Sequence, residues 1–110
     1  MTMAEQYEFF PDDVREQLPA LYSTEHEKEP LMIVKFFTPD SSWTLYASEF
    51  DGKDIFFGYV VGFEQELGYF SLSELQGATG PFGLHVERDF NFEPARLSVI
   101  KRWHKRQAAS

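Results

Sequence analysis

The chain has 110 residues, of which 43% are hydrophobic and 17% aromatic, and it contains no cysteine. This length suits a single domain that buries a core without crosslinks, and the lack of cysteine excludes disulfides, thiolate metal sites and cysteine nucleophiles. No apolar run approaches the roughly 20 residues that span a bilayer, and the start, MTMAEQYEFFPDD, is acidic where a signal peptide would be basic. We therefore expect one cytoplasmic domain over residues 1–110, with flexible ends at 1–10 and 106–110.

Charge is distributed unevenly along the chain, whose formal net charge is -8. All 18 acidic residues lie between Glu5 and Glu93, and residues 1–100 carry -12 because they include six basic residues. The end of the chain then adds four cations, Lys101, Arg102, Lys105 and Arg106. An acidic body repels phosphate backbones, which disfavours nucleic-acid binding over a broad face. The acidic surface either maintains solubility or docks on a basic surface of a partner protein.

The first predicted element is a short helix at about 11–18. Pro11 suits the first helical position, and two acidic residues follow it in the first turn. Pro19 ends the helix. The next segment, LYSTEHEKEP at 21–30, is polar and acidic and predicts a loop that leads into an extended segment.

Three β-rich runs follow, and short turns separate them. The runs are LMIVKFF at 31–37, WTLYASEF at 43–50 and IFFGYVVGF at 55–63, with PDSS and DGKD between them. Links this short require antiparallel neighbours. The second run alternates in polarity, which is typical of a sheet with one covered face and one open face, whereas the third is apolar on both faces and is expected to be central.

A short helix, a loop and a fourth strand are predicted next. Ser71 and Glu74 form a capping-box pattern ahead of a helix whose apolar side is Leu72 and Leu75. The glycines of GATGPFG then predict a loop, and they do not spell a phosphate-binding or dinucleotide-binding motif, so we expect no cofactor. The alternation of LHVERDFNF at 84–92 predicts a strand.

The chain is predicted to end in an amphipathic basic helix. Leu97, Ile100 and Trp103 are spaced by three in RLSVIKRWHKRQ, so we expect all three to pack on the domain. The elements together predict an α+β fold, with an antiparallel sheet of about four strands and short helices packed on one face.

The strongest candidate site is the strand face that carries His85, Glu87 and Asp89. A strand's period of two projects these three side chains from one face, and an imidazole with two carboxylates can ligate a divalent metal. The same pattern is typical of polar residues on the open face of a sheet. We therefore keep a metal-dependent hydrolase or nuclease as an alternative function and assign no metal.

Other candidate residues are weaker. His26, between two glutamates in a loop, has the surroundings of a general base, although no nucleophile is placed beside it. Glu64 and Glu66 are paired carboxylates if they share a strand face, and surface acids that contact a partner if they do not. In the KRWHKR segment, Lys101, Arg102 and Trp103 are candidates for partner binding or weak single-strand contact, unless Trp103 belongs to the core.

Several blocks of the sequence resemble the bacterial domain-of-unknown-function family 2958. These blocks, which lie within residues 18–97, are LPALYSTEHEKEP, VKFFTPDSSWTLYASEFDG, FFGYVVGFEQELGYFSLSEL and GPFGLHVERDFNFEP. The resemblance implies an accessory protein of conjugative plasmids, integrative elements or prophages, and it brings no established reaction. In that setting small acidic proteins often bind other proteins, including as inhibitors of restriction enzymes. We expect a non-enzymatic interaction or regulatory protein with a protein partner, and no membrane contact.

Overall fold

The structure, a computed structural model, describes residues 8–109 and contains one main antiparallel sheet and three helices. The helices are α1 (Asp12–Arg15), α2 (Leu72–Gly77) and α3 (Leu97–Ala109). The strands are β1 (Leu31–Met32), β2 (Val34–Phe37), β3 (Thr44–Phe50), β4 (Ile55–Val61), β5 (Gln65–Ser71), β6 (Glu87–Arg88) and β7 (Ala95–Arg96). Five strands form the main sheet in the order β5-β4-β3-β2-β6, and β1 pairs with β7. The predicted α+β fold is confirmed, with five strands rather than about four.

The predicted meander of three strands is confirmed as β2, β3 and β4. Ala47 of β3 pairs with Val34 on one side and with Gly58 on the other. The turn after β3 is closed by the Asp51 carboxylate, which accepts hydrogen bonds from the backbone N–H groups of Asp54, Lys53 and Ile55. These backbone hydrogen bonds lower the pKa of Asp51.

Both faces of the sheet are covered, which differs from the predicted packing of helices on one face. One core, against which α2 packs, contains Phe10, Val34, Phe36, Leu45, Ala47, Phe50, Phe56, Leu72, Leu75 and Val86. The other, which includes residues of α3, contains Met32, Tyr46, Tyr59, Val61, Leu97 and Ile100. The reason lies in β3, where every residue from Leu45 to Phe50 is buried, including the polar ones.

The sequence did not predict β5, although the capping box that follows it is confirmed. Residues 65–71 are mostly exposed, so the strand lacks the apolar alternation that marks a half-buried strand. At its end the Ser71 hydroxyl accepts a hydrogen bond from the Glu74 N–H at 3.0 Å. Leu72 and Leu75 are buried, as expected for the inner side of α2.

Two predicted elements are shorter than expected. The fourth predicted strand, 84–92, contributes only Glu87–Arg88 to the sheet, and Leu84 and Phe90 are exposed rather than buried. The chain bends after β6, where the Asp89 N–H donates to the Lys35 carbonyl and the Asp89 carbonyl accepts from Phe92. The first helix covers Asp12–Arg15, and hydrogen-bonded turns continue to Leu18.

The C-terminal helix is confirmed, but the prediction that Trp103 packs in the core is wrong. Leu97 and Ile100 are buried, whereas Trp103 is 51% exposed. Steps of three residues rotate backwards by about 60° each, so Trp103 lies about 120° from Leu97, while His104 lies within about 20° of it. His104 therefore takes the inward position.

The two predicted flexible ends lie partly outside the described residues, which exclude 1–7 and 110. In the described part of the first end, Phe10 is buried and its ring packs edge-on against Phe50 and Phe56, with centroids 5.1 Å apart. At the other end α3 continues through Ala109.

Candidate docking groove

An apolar groove with a volume of about 620 Å³ lies at the end of the sheet where β2 turns into β3 and β4 turns into β5. The side chains of Leu45, Phe70, Leu75 and Val86 form its apolar lining. Its walls are formed by Thr38, Ser41, Ser42, Trp43, Phe63 and residues 78–81 of the loop that follows α2. We refer to this cavity and the residues that line it as the groove.

Exposed aromatic rings stand around the groove. Phe63, in the turn between β4 and β5, lines the groove and is 96% exposed, and Phe82, which directly follows the lining residue Pro81 in the loop after α2, is 84% exposed. The Trp43 ring meets the Phe63 ring edge-on, with centroids 5.7 Å apart. A side chain at Gly62 would lie 2.6 Å from the Trp43 indole, so glycine is required for the indole to lie against this turn. Exposed rings beside an apolar groove are a feature that surface patches with a binding role share.

Asp40 joins the two walls of the groove. Its Oδ2 accepts hydrogen bonds from the Phe82 N–H at 2.7 Å and from the Leu84 N–H at 3.3 Å. Its Oδ1 is buried and has no hydrogen-bond partner among the described residues. A side chain at Gly80 would overlap the Asp40 carboxylate, so the loop approaches this closely only because residue 80 is glycine. Asp40 and Gly80 therefore fix the position of the loop that carries Phe82.

The polar groups of the groove are few and belong mainly to one turn. Ser41 and Thr38 form a hydroxyl pair, and the Ser41 Oγ also accepts a hydrogen bond from the Trp43 N–H at 3.3 Å. Glu74 contributes a carboxylate. Among the described residues that line the groove there is no basic side chain. This chemistry suits an apolar group that arrives with positive charge beside it.

A second cleft, of about 390 Å³, lies between the sheet and α3 and contains a cluster of titratable groups. The Tyr46 hydroxyl lies 2.7 Å from His104 Nε2, and Lys35 Nζ lies 3.6 Å from Asp89 Oδ2. Burial raises the pKa of Tyr46 to about 12, and the nearby Asp89 and Tyr59 contribute to the increase. Burial, and to a lesser extent the Lys35 charge, lower the pKa of His104. Because the Tyr46 residue is only 2% exposed, this pair joins α3 to the sheet rather than facing a substrate.

The structure does not bring His85, Glu87 and Asp89 together as a metal site. His85 forms an isolated antiparallel bridge with Thr79, Glu87 is exposed on β6, and Asp89 forms the ion pair with Lys35. Within residues 8–109 no group of three or more histidine and acidic side chains is arranged to hold a metal ion.

The remaining candidate residues lie apart from one another. His26 is exposed in the loop before β1. Glu66 is on β5 opposite Val60, while Glu64 lies in the preceding turn, so the two do not form a carboxylate pair on one strand. Lys101, Arg102 and Trp103 are exposed on α3, where Lys101 Nζ lies 5.8 Å from the centroid of the Tyr59 ring.

Sequence reasoning missed the residues that form the groove. Its signal was the position of the aromatic residues, since Trp43 follows the predicted PDSS turn, Phe63 ends the third predicted strand and Phe82 lies in the predicted glycine-rich loop. An aromatic side chain in a turn is not accounted for by strand or helix periodicity, and two of these three are followed or preceded directly by glycine. Such residues are candidates for contact surfaces on the basis of the sequence alone.

The fold and the groove define a small α+β domain with a central antiparallel sheet and an aromatic-rimmed groove at one end. The chain belongs to the family described as "Protein of unknown function (DUF2958)", whose sequence model matches residues 9–109. The resemblance seen in the sequence blocks is thereby confirmed and extends through α3. No curated protein and no solved structure matches the chain. None of the helices in the described part of the chain is long and apolar enough to cross a membrane.

Proposed function

We propose that the chain is a non-enzymatic protein-interaction module whose groove receives an apolar side chain of a partner protein. The observation that carries this proposal is the exposure of Phe63, which lines a groove of apolar side chains, and of Phe82, in the loop that forms one wall of the groove. Interface hot spots are aromatic groups that fill such pockets, and isolated domains rarely expose clustered aromatic rings without a binding role.

The charge of the chain indicates the chemistry of the partner. Residues 1–100 carry -12, Glu74 lines the groove and Glu64 follows the exposed Phe63 directly. A partner segment with an aromatic or aliphatic anchor between lysines or arginines would fill the groove and meet these carboxylates at its rim. Rim charges of this kind accelerate association and make binding sensitive to salt.

The biological setting forms the second part of the proposal. We extend to this chain the setting that the family resemblance implies, which is an accessory protein of a bacterial mobile element that acts in the cytoplasm. Proteins that bind DNA carry basic surfaces, so a restriction enzyme is one class of partner with suitable charge. We therefore include an anti-restriction role in the proposal. Two observations support it: the acidic charge of residues 1–100 and the resemblance to the family.

A direct test uses Trp43 as a fluorescent reporter of the groove. The chain has two tryptophans, so Trp103→Phe leaves Trp43 as the single one. The probe is the peptide Lys-Lys-Phe-Leu-Lys-Lys, and the matched control peptide replaces Phe-Leu with Gly-Ser. We expect a saturable blue shift with the first peptide that weakens as salt increases, because the flanking charges are screened. An equal response to the control peptide would contradict the proposal.

Two serine variants distinguish the groove from general apolar exposure. Phe63→Ser removes a rim ring, and Phe90→Ser makes the same change at an exposed phenylalanine outside the groove lining. Peptide binding should fall at least tenfold in the first variant and stay within twofold in the second. When both variants are used as baits in extracts of a bacterial host, Phe63→Ser should lose any specific partner and Phe90→Ser should keep it. Equal losses in both variants would count against the groove.

A further inference from the structure

A second surface lies along the outer edge of β5, the strand whose residues Phe70 and Ser71 also line the groove. This strand of seven residues ends the main sheet and pairs with β4 along its inner side. Among the described residues, no other strand pairs with it. An edge strand presents unpaired backbone N–H and C=O groups, and these can template the addition of another strand.

The register shows which backbone groups point outward. Two hydrogen bonds extend the ladder between β4 and β5 at either end: the Gly62 N–H donates to the Glu64 carbonyl at 3.0 Å, and the Leu72 N–H donates to the Asp54 carbonyl at 2.8 Å. Hydrogen-bonded and non-hydrogen-bonded pairs alternate in an antiparallel ladder, so the even-numbered residues of β5 bond to β4. The N–H and C=O groups of the odd-numbered residues, Gln65, Leu67 and Tyr69, therefore face outward.

This edge lacks most of the features that usually prevent strand addition, and within β5 Glu66 is the single charged side chain. Its sequence, QELGYFS, contains no lysine and no proline, and its register with β4 has no bulge. Leu67 is 46% exposed and Tyr69 is 55% exposed, and both side chains stand on the same face because they are two residues apart. Around Gly68, which lies between them, the space is open, since no atom lies within 4 Å of the position a Cβ would take.

We propose that the β5 edge pairs with the β5 edge of a second copy of this chain. The pairing is antiparallel about a two-fold axis at Leu67, so the three outward-facing residues of each copy exchange backbone hydrogen bonds. In this register Leu67 lies opposite Leu67 of the second copy and Gln65 opposite Tyr69. The acids are kept apart, because Glu66 lies opposite Gly68 and Glu64 opposite Phe70.

The charge pattern favours this register over the one whose two-fold axis lies at Glu66. A two-fold axis at Glu66 would place the two Glu66 carboxylates directly opposite each other, and like charges across a strand pair destabilise it. It would also shift the pairing so that Leu67 faced Gln65 and Tyr69 extended past the end of the second strand. The axis at Leu67 avoids both problems and joins the apolar side chains of the two copies into one strip.

The dimer is expected to strengthen as salt is added. Each copy carries a net charge of -8, so the copies repel each other over long distances, and salt screens this repulsion. Peptide binding in the groove should respond in the opposite direction. The opposite responses to salt allow dimerisation through β5 and peptide binding in the groove to be tested independently.

The first test is sedimentation equilibrium of the full chain over a range of protein and salt concentrations. The wild type should show a monomer–dimer equilibrium that shifts toward dimer with salt. Leu67→Lys places two cations opposite each other at the axis and should leave the protein monomeric. The matched variant, Glu66→Lys, faces Gly68 of the second copy and lowers the net repulsion, so it should dimerise at least as well as the wild type. Both changes are at exposed positions, and circular dichroism verifies their folding.

The second test reads the register directly, because the chain contains no cysteine of its own. Cα atoms of a hydrogen-bonded antiparallel pair are about 5.5 Å apart, which is within the range that a disulfide spans. Under mild oxidation Leu67→Cys should give a covalent dimer, whereas Gln65→Cys, which faces Tyr69 of the second copy, should give much less.

Three outcomes would overturn the proposal: a wild type that is monomeric at every concentration and salt, a dimer that Leu67→Lys leaves intact, or equal crosslinking at positions 65 and 67. Phe63→Ser distinguishes dimerisation from peptide binding, because this groove variant should lose peptide binding and dimerise like the wild type. If the β5 edge instead accepts a strand from a different protein, the wild type alone sediments as a monomer, which counts against the second copy.

Discussion

The Tyr46 hydroxyl lies 2.7 Å from His104 Nε2, and this contact joins the middle of the sheet to the third turn of α3. The two rings meet nearly perpendicular, with centroids 5.7 Å apart. Tyr46 also pairs with Tyr59 across β3 and β4, so the helix is anchored to the central strands. A burial-raised pKa of about 12 keeps the Tyr46 phenol protonated throughout the physiological range.

Protonation of His104 should destabilise the folded chain. Its folded pKa is lowered from 6.5, first by burial and then by the charge of Lys35, so the unfolded chain takes up a proton at a higher pH than the folded chain does. The stability is fully present above pH 6.5, and it falls as the pH drops from 6.5 toward the folded pKa. Urea unfolding at several pH values measures this slope.

Two variants assign that slope to one histidine. His104→Gln removes the titrating group, so the free energy of unfolding should no longer fall just below pH 6.5, the ordinary histidine pKa. His85→Gln makes the same change outside α3 and should leave this pH dependence as it is in the wild type. The low pKa of Asp51 acts in a separate window, below its ordinary value of 3.8, where stability is lost as its carboxylate is protonated. If His104→Gln retains the full slope above that acidic window, the assignment to His104 is wrong.

Trp103 and Ile100 should differ sharply in their effect on stability. Ile100→Ala empties a buried position between α3 and the sheet and should cost about 2–5 kcal/mol. Trp103→Ala removes a half-exposed ring whose described contacts are the His104 ring and the Lys35 ammonium, which lies 5.6 Å from the Trp103 ring centroid. The loss of stability in Trp103→Ala should be about 1 kcal/mol. Chemical unfolding of both variants tests this. A decrease of more than about 3 kcal/mol in the free energy of unfolding of Trp103→Ala would show that Trp103 packs as a core residue.

Glu49 should be essential for the loop between α1 and β1. This carboxylate is 3% exposed, and it accepts hydrogen bonds from the Tyr22 N–H at 2.8 Å, the Thr24 N–H at 2.9 Å and the Thr24 hydroxyl. These three hydrogen bonds stabilise a turn in which Tyr22 adopts a φ of 69°, a region that only a few non-glycine residues occupy. Glu49→Ala leaves these donors unpaired and should cost about 2–4 kcal/mol.

The measurement for Glu49 combines unfolding with limited proteolysis. The variant should become sensitive to cleavage within 20–30 before the sheet unfolds, because the loop loses its anchor. Glu66→Ala, at an exposed acid, is the matched control and should change neither property. Equal stability of the two variants would show that the Glu49 carboxylate contributes nothing to the loop.

The comparison of β3 with β5 shows why only part of the fold was predictable. β3 and its neighbours are apolar runs between strong turn signals, and Asp51 and Gly52 close their hairpin as the sequence indicates. β5 is polar and exposed, so its pairing depends on the backbone register with β4 and leaves no hydrophobic pattern. The C-terminal helix was predicted, but its position over the second face of β3 was not, since Tyr46 and Ser48 are buried although their polarity suits an open face.

The groove was harder to predict because its parts come from distant segments. Asp40 bonds to N–H groups 42 and 44 residues away, in the loop of Phe82, and no local pattern predicts that contact. The three candidate metal ligands do not lie together for a related reason. His85, Glu87 and Asp89 alternate as a strand would require, but the strand itself ends at Arg88, where pairing with β2 stops.

Gly58 and Gly68, which lie opposite each other on β4 and β5, should respond very differently to alanine. A side chain at Gly58 would overlap the Tyr46 carbonyl oxygen on β3, and this backbone atom can move only if the central strands separate. Gly58→Ala should therefore lower the free energy of unfolding by about 3 kcal/mol or more. At Gly68 no atom lies within 4 Å of the new methyl group, so Gly68→Ala should be neutral or should stabilise the fold by up to about 1 kcal/mol, because it restricts the unfolded chain. Paired unfolding curves measure the difference, and similar losses at both positions would contradict the close approach of β4 to β3 at Tyr46.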